Sequence, residues 1–281
     1  LIDQWLNVIK RCILNQIQIS IVEVRSEVFK YYIDFDFICR SGAIPIETLK
    51  KISLYTHKCF LNNVKLKTNR DVYQYLYSSK PRKKGEDIKT GVHMYYPEIF
   101  LTTEEALELR KRLILEMKKI DNEMNWENII DISVYKGSGF RLPHVPKLKK
   151  CNCNKYNGEC EFGCVFGVIN ENSVYEPHWM VINDEIFENN NIINNLKTNL
   201  KHSLKLTQIR TGANQKVNIE ILPLENIYKD PKQIEIYNNL SGRKTVSSNQ
   251  NFFVDDERIL PLNIQQKVEN FIKINFEAYK K

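Results

Sequence analysis

The sequence predicts an α+β (mixed α/β) fold. Three observations carry that reading. The run "YYIDFDF", residues 31–37, alternates apolar and acidic side chains among aromatic and β-branched residues, as a half-buried strand does. The run "LTTEEALELRKRLILEMKKI" sets Leu107, Leu109, Leu113, Ile114 and Met117 at helical spacing. Strand-like and helix-like segments are interleaved along the chain, with Pro and Gly breaks between them.

Each element follows in order. Trp5, Leu6, Ile9, Ile13, Leu14 and Ile17 predict an amphipathic helix within residues 1–21, and "ISIVEVR" predicts a short strand over 19–25. The strand with Asp34 and Asp36 comes next, and "SGAIP" ends it. Residues 45–77 read as mostly helical. "SSKPRKKGEDIKTG" is polar, with Pro81 and Gly85, and reads as a loop; strand character returns over 92–100. Thr102 or Thr103 caps the following helix, Glu104 and Glu105 suit its positive end, and Lys118 and Lys119 its negative end. "NIIDISVY" reads as a strand and 147–165 as a basic, cysteine-rich insertion. "VFGVIN" and "HWMVI" read as strands flanking a turn, 189–195 as a loop, and 201–211 and 262–281 as helices.

Composition narrows the function classes. The 281 residues are 42% hydrophobic and 27% charged, enough apolar mass for a packed core. The net charge of +7 suits a polyanionic partner. No apolar run reaches the roughly 18 residues of a membrane span, so no membrane partner is expected. No "GKS" or "GKT" stands in the sequence, so no Walker-type motor is expected. The chain starts at Leu1, which suits a piece of a longer polypeptide.

The acids and cations carry the chemistry. Asp34 and Asp36 share a strand face. Two neighbouring carboxylates repel and lose hydration on burial, and a divalent cation between them removes both costs. A solvated strand end with two harmless aspartates fits equally well. Asp131, in the apolar run "IIDISVY", is a third acid of the same kind. "KTGVHMYYP" sets Lys89, Gly91 and His93 on one strand face. There Gly91 lets a phosphate approach the backbone and His93 is a donor beside the acids, though a lone histidine near a strand is more often structural. "YKGSGFRLPHVPK" adds Arg141, a planar fork, and Lys147, a mobile point charge. Both suit the β- and γ-phosphates of a nucleotide, or simply solvent.

The ordered set "YYIDFDF", "KTGVH" and "DISVYKGSGFRLPHVPK" resembles the archaeo-eukaryotic primase superfamily, over roughly residues 29–147. It looks closest to the branch with primase-polymerases, the herpesvirus primase subunit and the primase domains of large DNA viruses. The resemblance implies one catalytic domain over 1–281. Its sheet would be a modified RNA-recognition-motif-like one flanked by helices, beside a second α/β part. It implies Mg²⁺ or Mn²⁺ on Asp34, Asp36 and Asp131, with the incoming nucleoside triphosphate held by Lys89, Gly91, His93, Arg141 and Lys147. The activity implied is primer synthesis on single-stranded DNA in replication, with a replicative helicase fused downstream or separate. Some relatives carry serine where Gly91 stands, so contacts there would come from the backbone. Tyr135 lies near Asp131 in sequence without a readable role in sugar choice.

Seven cysteines, four of them clustered, suit a reducing intracellular compartment better than a disulfide framework; the resemblance adds a viral replication site as a setting. Cys151, Cys153, Cys160 and Cys164 supply four thiolates for a structural, tetrahedral Zn²⁺, with His144 or His178 able to replace one. Lys147, Lys149, Lys150 and Lys155 surround them, and "LKHSLKLTQIRTGANQK" is a second basic stretch beside a template. Two other functions stay open from sequence: a metal-dependent nuclease, which needs no triphosphate grip, and a non-enzymatic zinc-stabilised nucleic-acid-binding module, which leaves the three acids without a purpose.

Overall fold

The structure, a computed structural model, describes residues 2–15, 17, 19, 21–40, 42–149 and 168–240. The cysteine cluster at 151–164 and the expected helix at 262–281 lie outside the described residues.

The chain opens with α1 (Ile2–Leu14), which buries Leu6 and Ile9. It stops short of the 1–21 the spacing allowed, where Asn15 folds its amide back onto the Arg11 carbonyl at 2.9 Å. β1 (Val22–Glu23) is shorter than the expected 19–25. β2 (Phe29–Cys39) is the strand foreseen around the two aspartates. After Pro45 comes α2 (Ile46–Asn63).

The helix expected over 45–77 ends at Asn63, and β3 (Val64–Leu66) and β4 (Gln74–Ser79) take the rest. All six residues of β4 are buried, so the strand shows no alternation for the sequence to reveal. The loop expected from Ser78 is a hairpin of β5 (Arg82–Lys84) and β6 (Asp87–Leu101). Gly85, at φ +67°, makes its turn. α3 (Thr103–Ile120) has the foreseen start: Thr102 accepts from the Glu105 amide, and Glu105 accepts from the Thr102 amide.

"NIIDISVY" is not a strand. α4 (Trp126–Ile129), capped by Asn125, leads to one bridge between Ile130 and Phe35, and Ser133–Tyr135 turn as a 3-10 helix. β7 (Phe140–Arg141), β8 (Lys147–Lys149) and β9 (Val168–Asn170) are short; β10 (Tyr175–Ile182) turns tightly into β11 (Glu185–Phe187). The expected loop at 189–195 is largely α5 (Asn191–Thr198), started by the Asn190 side chain accepting from the Ile193 amide. α6 (Leu200–Thr207), β12 (Ile219–Ile221), α7 (Leu224–Ile227) and α8 (Pro231–Asn239) complete the described chain.

The main sheet runs β11-β10-β4-β6-β2, with β5 extending the β4 edge along β6; every pairing is antiparallel. β1–β7, β3–β12 and β8–β9 form small two-stranded sheets. One face of the main sheet carries Tyr31, Ile33, Phe35, Met94 and Leu76 into a large core. α2 packs there: Phe60 stacks on Tyr31 at 5.5 Å, and Ser53 donates to Gln74 at 2.7 Å. The other face carries the acids.

Candidate nucleotide-transfer site

Register builds the site. Opposite residues of an antiparallel pair share a face, so β2, β6 and the β4–β5 edge lay down successive rungs. One rung is Asp34, His93 and Tyr77; the next is Asp36 and Gly91; the third is Ile38, Lys89 and Arg82. Acids and cations thus sit on one face, two residues apart.

Asp131 joins them from a turn. Its amide donates to the Asp34 carbonyl at 2.9 Å, which brings the third acid beside the first. Its carboxylate caps the 3-10 turn, accepting from the Ser133 amide at 2.8 Å and the Ser133 hydroxyl at 2.7 Å. Asp34 Oδ1 is buried with no hydrogen-bond partner. Burial, then the charges of Asp36 and Asp131, hold its pKa well above the ordinary carboxylate range, against the opposing pull of Lys89 and Arg141. Lys89 is ion-paired with Asp36.

His93 is buried and neutral: burial, then Arg141, Lys89 and Arg82, hold its pKa well below the usual histidine value. The ring lies between Tyr175, stacked at 3.5 Å, and Phe140 at 4.1 Å. Nδ1 pairs with the Tyr95 hydroxyl at 3.1 Å, and Nε2 lies 3.6 Å from Asp34 Oδ1. Arg141 sits over the Tyr175 ring at 4.8 Å and donates to the Ser173 carbonyl at 2.8 Å. The Lys147 amide donates to Ser173 Oγ at 2.6 Å, so Ser173 fixes the backbone of one cation and the head of the other. Burial, then Arg141, Lys89 and Arg82, lower the pKa of Lys147.

Gly91 has a different neighbour from the one the sequence suggested. A Cβ there would fall on the Tyr175 hydroxyl, so the space assigned to a phosphate holds the tip of a phenol. The Gly91 amide donates to Ser79 Oγ at 3.0 Å, where Pro81 interrupts the β4–β5 edge. Tyr175, Ser79 and Arg82 were missed from sequence; the only trace was Arg82 and Lys84 alternating in the basic run. Tyr135 is core: it is buried and donates to the Tyr32 carbonyl. His144 and His178 each pair with a serine at 2.8 Å, Ser203 and Ser78 respectively. In the second basic stretch Lys201 pairs with Asp3 at 3.3 Å.

Among the described residues, no three or more His, Cys, Asp or Glu side chains stand as a ready-made metal cluster. The donor chemistry nonetheless fits a hard divalent cation. The orphaned Asp34 oxygen is the hard donor such a cation takes, and the charges of Asp36 and Asp131 reach it, with Asp36 already paired with Lys89.

No curated protein matches the chain. The family described as "C962R protein N-terminal AEP domain" matches residues 2–156, a segment that contains all three acids and Lys89, Gly91, His93, Arg141 and Lys147. The chain therefore belongs to this archaeo-eukaryotic primase (AEP) family, and with it goes a primase-like nucleotidyltransferase function at the level of the family.

Proposed function

We propose that this domain synthesises primers on single-stranded DNA from nucleoside triphosphates by two-metal-ion nucleotidyl transfer. The observation that carries the reading is that Asp34, Asp36, Lys89 and His93 share one face of the main sheet, while the Asp131 amide is bonded to the Asp34 carbonyl and Arg141 lies over the Tyr175 ring that stacks on His93. A nuclease needs no triphosphate grip of the kind Arg141 and Lys147 offer, and a binding module leaves the three acids without a purpose.

Each residue has a task. Asp34 and Asp36 would hold Mg²⁺ or Mn²⁺, with Asp131 behind them. Bound there, divalent cations neutralise the phosphate and activate a 3′-hydroxyl for in-line attack. Arg141 presents its fork to the triphosphate, turned by Ser173 and the Tyr175 ring. Lys147 and Lys89 add point charges. His93 stays neutral, so in the tautomer where Tyr95 donates to Nδ1, its Nε2–H donates without repelling the arginine. Such chemistry depends on positioning and electrostatics, which the main sheet supplies for Asp34, Asp36, Lys89 and His93 and the flanking short strands for Arg141 and Lys147.

The reading extends beyond the described residues. A structural Zn²⁺ on Cys151, Cys153, Cys160 and Cys164 would pin the segment that follows Lys147, and a replicative helicase would be the working partner. The modified RNA-recognition-motif-like sheet and the large-DNA-virus setting belong to the same proposal.

The test is primer synthesis on unprimed single-stranded DNA with labelled nucleotides and Mg²⁺ or Mn²⁺. The wild type is expected to give short products and Asp34→Ala/Asp36→Ala none. Equal product from both would refute the catalytic assignment of the acids.

A further inference from the structure

We propose that Arg82 is a fourth phosphate-binding cation of this site and that it tunes the site to triphosphates over diphosphates. The inference rests on the nucleotidyltransferase reading above.

Placement comes first. Arg82 is the cross-strand partner of Lys89, so its side chain leaves the sheet on the face that carries Asp36 and Gly91. Its guanidinium reaches back: Nη1 donates to Ser79 Oγ at 2.8 Å, the hydroxyl that also takes the Gly91 amide. Ser79 is buried, so it orients the fork from a fixed point. A guanidinium has five N–H donors, and a single hydroxyl acceptor leaves most of them free. Among the described residues Arg82 has no carboxylate partner, whereas Lys89 is paired with Asp36.

Charge points the same way. Arg82 lies opposite Lys89 and shares the Ser79 hydroxyl with the amide of Gly91, which stands opposite Asp36. Arg82 and Lys89 therefore stand side by side on the face that carries Asp34 and Asp36. Two neighbouring cations, of which only Lys89 has a carboxylate partner among the described residues, favour an incoming anion. A fully ionised nucleoside triphosphate carries four negative charges, one more than the diphosphate, and with Lys89 paired to Asp36 the Arg82 fork is the cation left to take that extra charge. Lys83, on the same strand, belongs to the opposite face and is exposed, so the basic run is not a uniform patch.

The experiment titrates a fluorescent nucleoside triphosphate and the matching diphosphate into wild type, Arg82→Ala, Arg82→Lys and Lys83→Ala at one ionic strength, and measures single-stranded DNA binding alongside. A charge-assisted hydrogen bond predicts triphosphate affinity about tenfold weaker in Arg82→Ala. Diphosphate and DNA affinity should hold, Lys83→Ala should match wild type, and Arg82→Lys should fall between and serve as the folded control. Equal losses in Arg82→Ala and Lys83→Ala, an unchanged triphosphate affinity, or a loss confined to DNA would each overturn the assignment. If the wild type bound no triphosphate at all, the nucleotidyltransferase reading beneath it would fall instead.

Discussion

The two faces of the central strands share one backbone and differ in the kind of polar group each buries. On the core face Gln74 uses both ends of its amide. Its Oε1 accepts from Ser53 at 2.7 Å, its Nε2 donates to the Tyr96 hydroxyl at 2.7 Å, and Trp179 donates to Ser53 at 3.0 Å. On the site face Asp34 Oδ1 is also buried, and among the described residues no donor reaches hydrogen-bond distance, His93 Nε2 stopping at 3.6 Å. Unsatisfied buried groups are few in native proteins because each costs stability. Thr90 Oγ1 on the core face and the His57 ring beside Tyr96 are orphaned too, so what sets Asp34 apart is that its orphaned atom is an acid beside the charges of Asp36 and Asp131.

The largest effect comes from breaking the core face. Phe35 is fully buried between the two aspartates in sequence. Phe35→Ala is expected to cost about 3–5 kcal/mol, read as a lower urea midpoint. A loss of under about 1 kcal/mol would mean that face is not the core.

Gly91→Ala strikes the site face. Its new methyl would meet the Tyr175 hydroxyl and push the phenol off His93, with overpacking of about 1–3 kcal/mol. Misplacement on that scale predicts nucleotidyl transfer down on the order of 10²-fold. Adding Tyr175→Phe removes the clashing oxygen and should restore part of the rate; a double variant no better than Gly91→Ala would separate the clash from the loss.

Asp34→Asn sharpens the contrast by satisfying neither partner nor metal while removing the charge. Folding raises the Asp34 pKa, so the folded chain keeps a proton that the unfolded chain has released. The contribution of this group to stability therefore falls as pH rises from the ordinary carboxylate range through the raised value. At pH 7 without divalent metal the variant is expected to melt about 2–4 °C higher, the shift that ~1 kcal/mol gives a domain of this size. Added Mg²⁺ should raise the wild-type Tm and leave the variant where it was. A variant that melts no higher in metal-free buffer would show that the carboxylate is not under strain.

The smallest effect tests the third acid. Ser133→Ala removes one of the two donors holding the Asp131 carboxylate. Stability should drop by about 0.5–1.5 kcal/mol, as for a lost hydrogen bond, with activity changed only a few-fold. Loss of all activity would place Ser133 itself in the site.

What the sequence revealed follows from how locally each signal is written. β2 alternates within itself, and α3 carries its cap four residues from its first apolar position, so both were legible. β4 was not, because "QYLYSS" is buried on both faces and a strand without alternation looks like any apolar run. "NIIDISVY" has strand composition, yet Asn125 caps a turn of helix there and Asp131 takes Ser133 for another. In the site, the acids and the Arg141 and Lys147 cations could be named because their residue types limit their uses. Tyr175, Ser79 and Arg82 meet Gly91 only through strand register, and register is a long-range property.

β6 has neighbours on both edges where it carries Gly91 and His93. A working site is usually expected to breathe, but these amides sit in the middle of the sheet and can exchange with solvent only when its strands part. Deuterium should therefore enter the Gly85 turn early and the segment around His93 last. Heating should leave the rate law intact until the melting transition and then end it abruptly, because the strand that presents Lys89 and His93 is also the one that holds the sheet together.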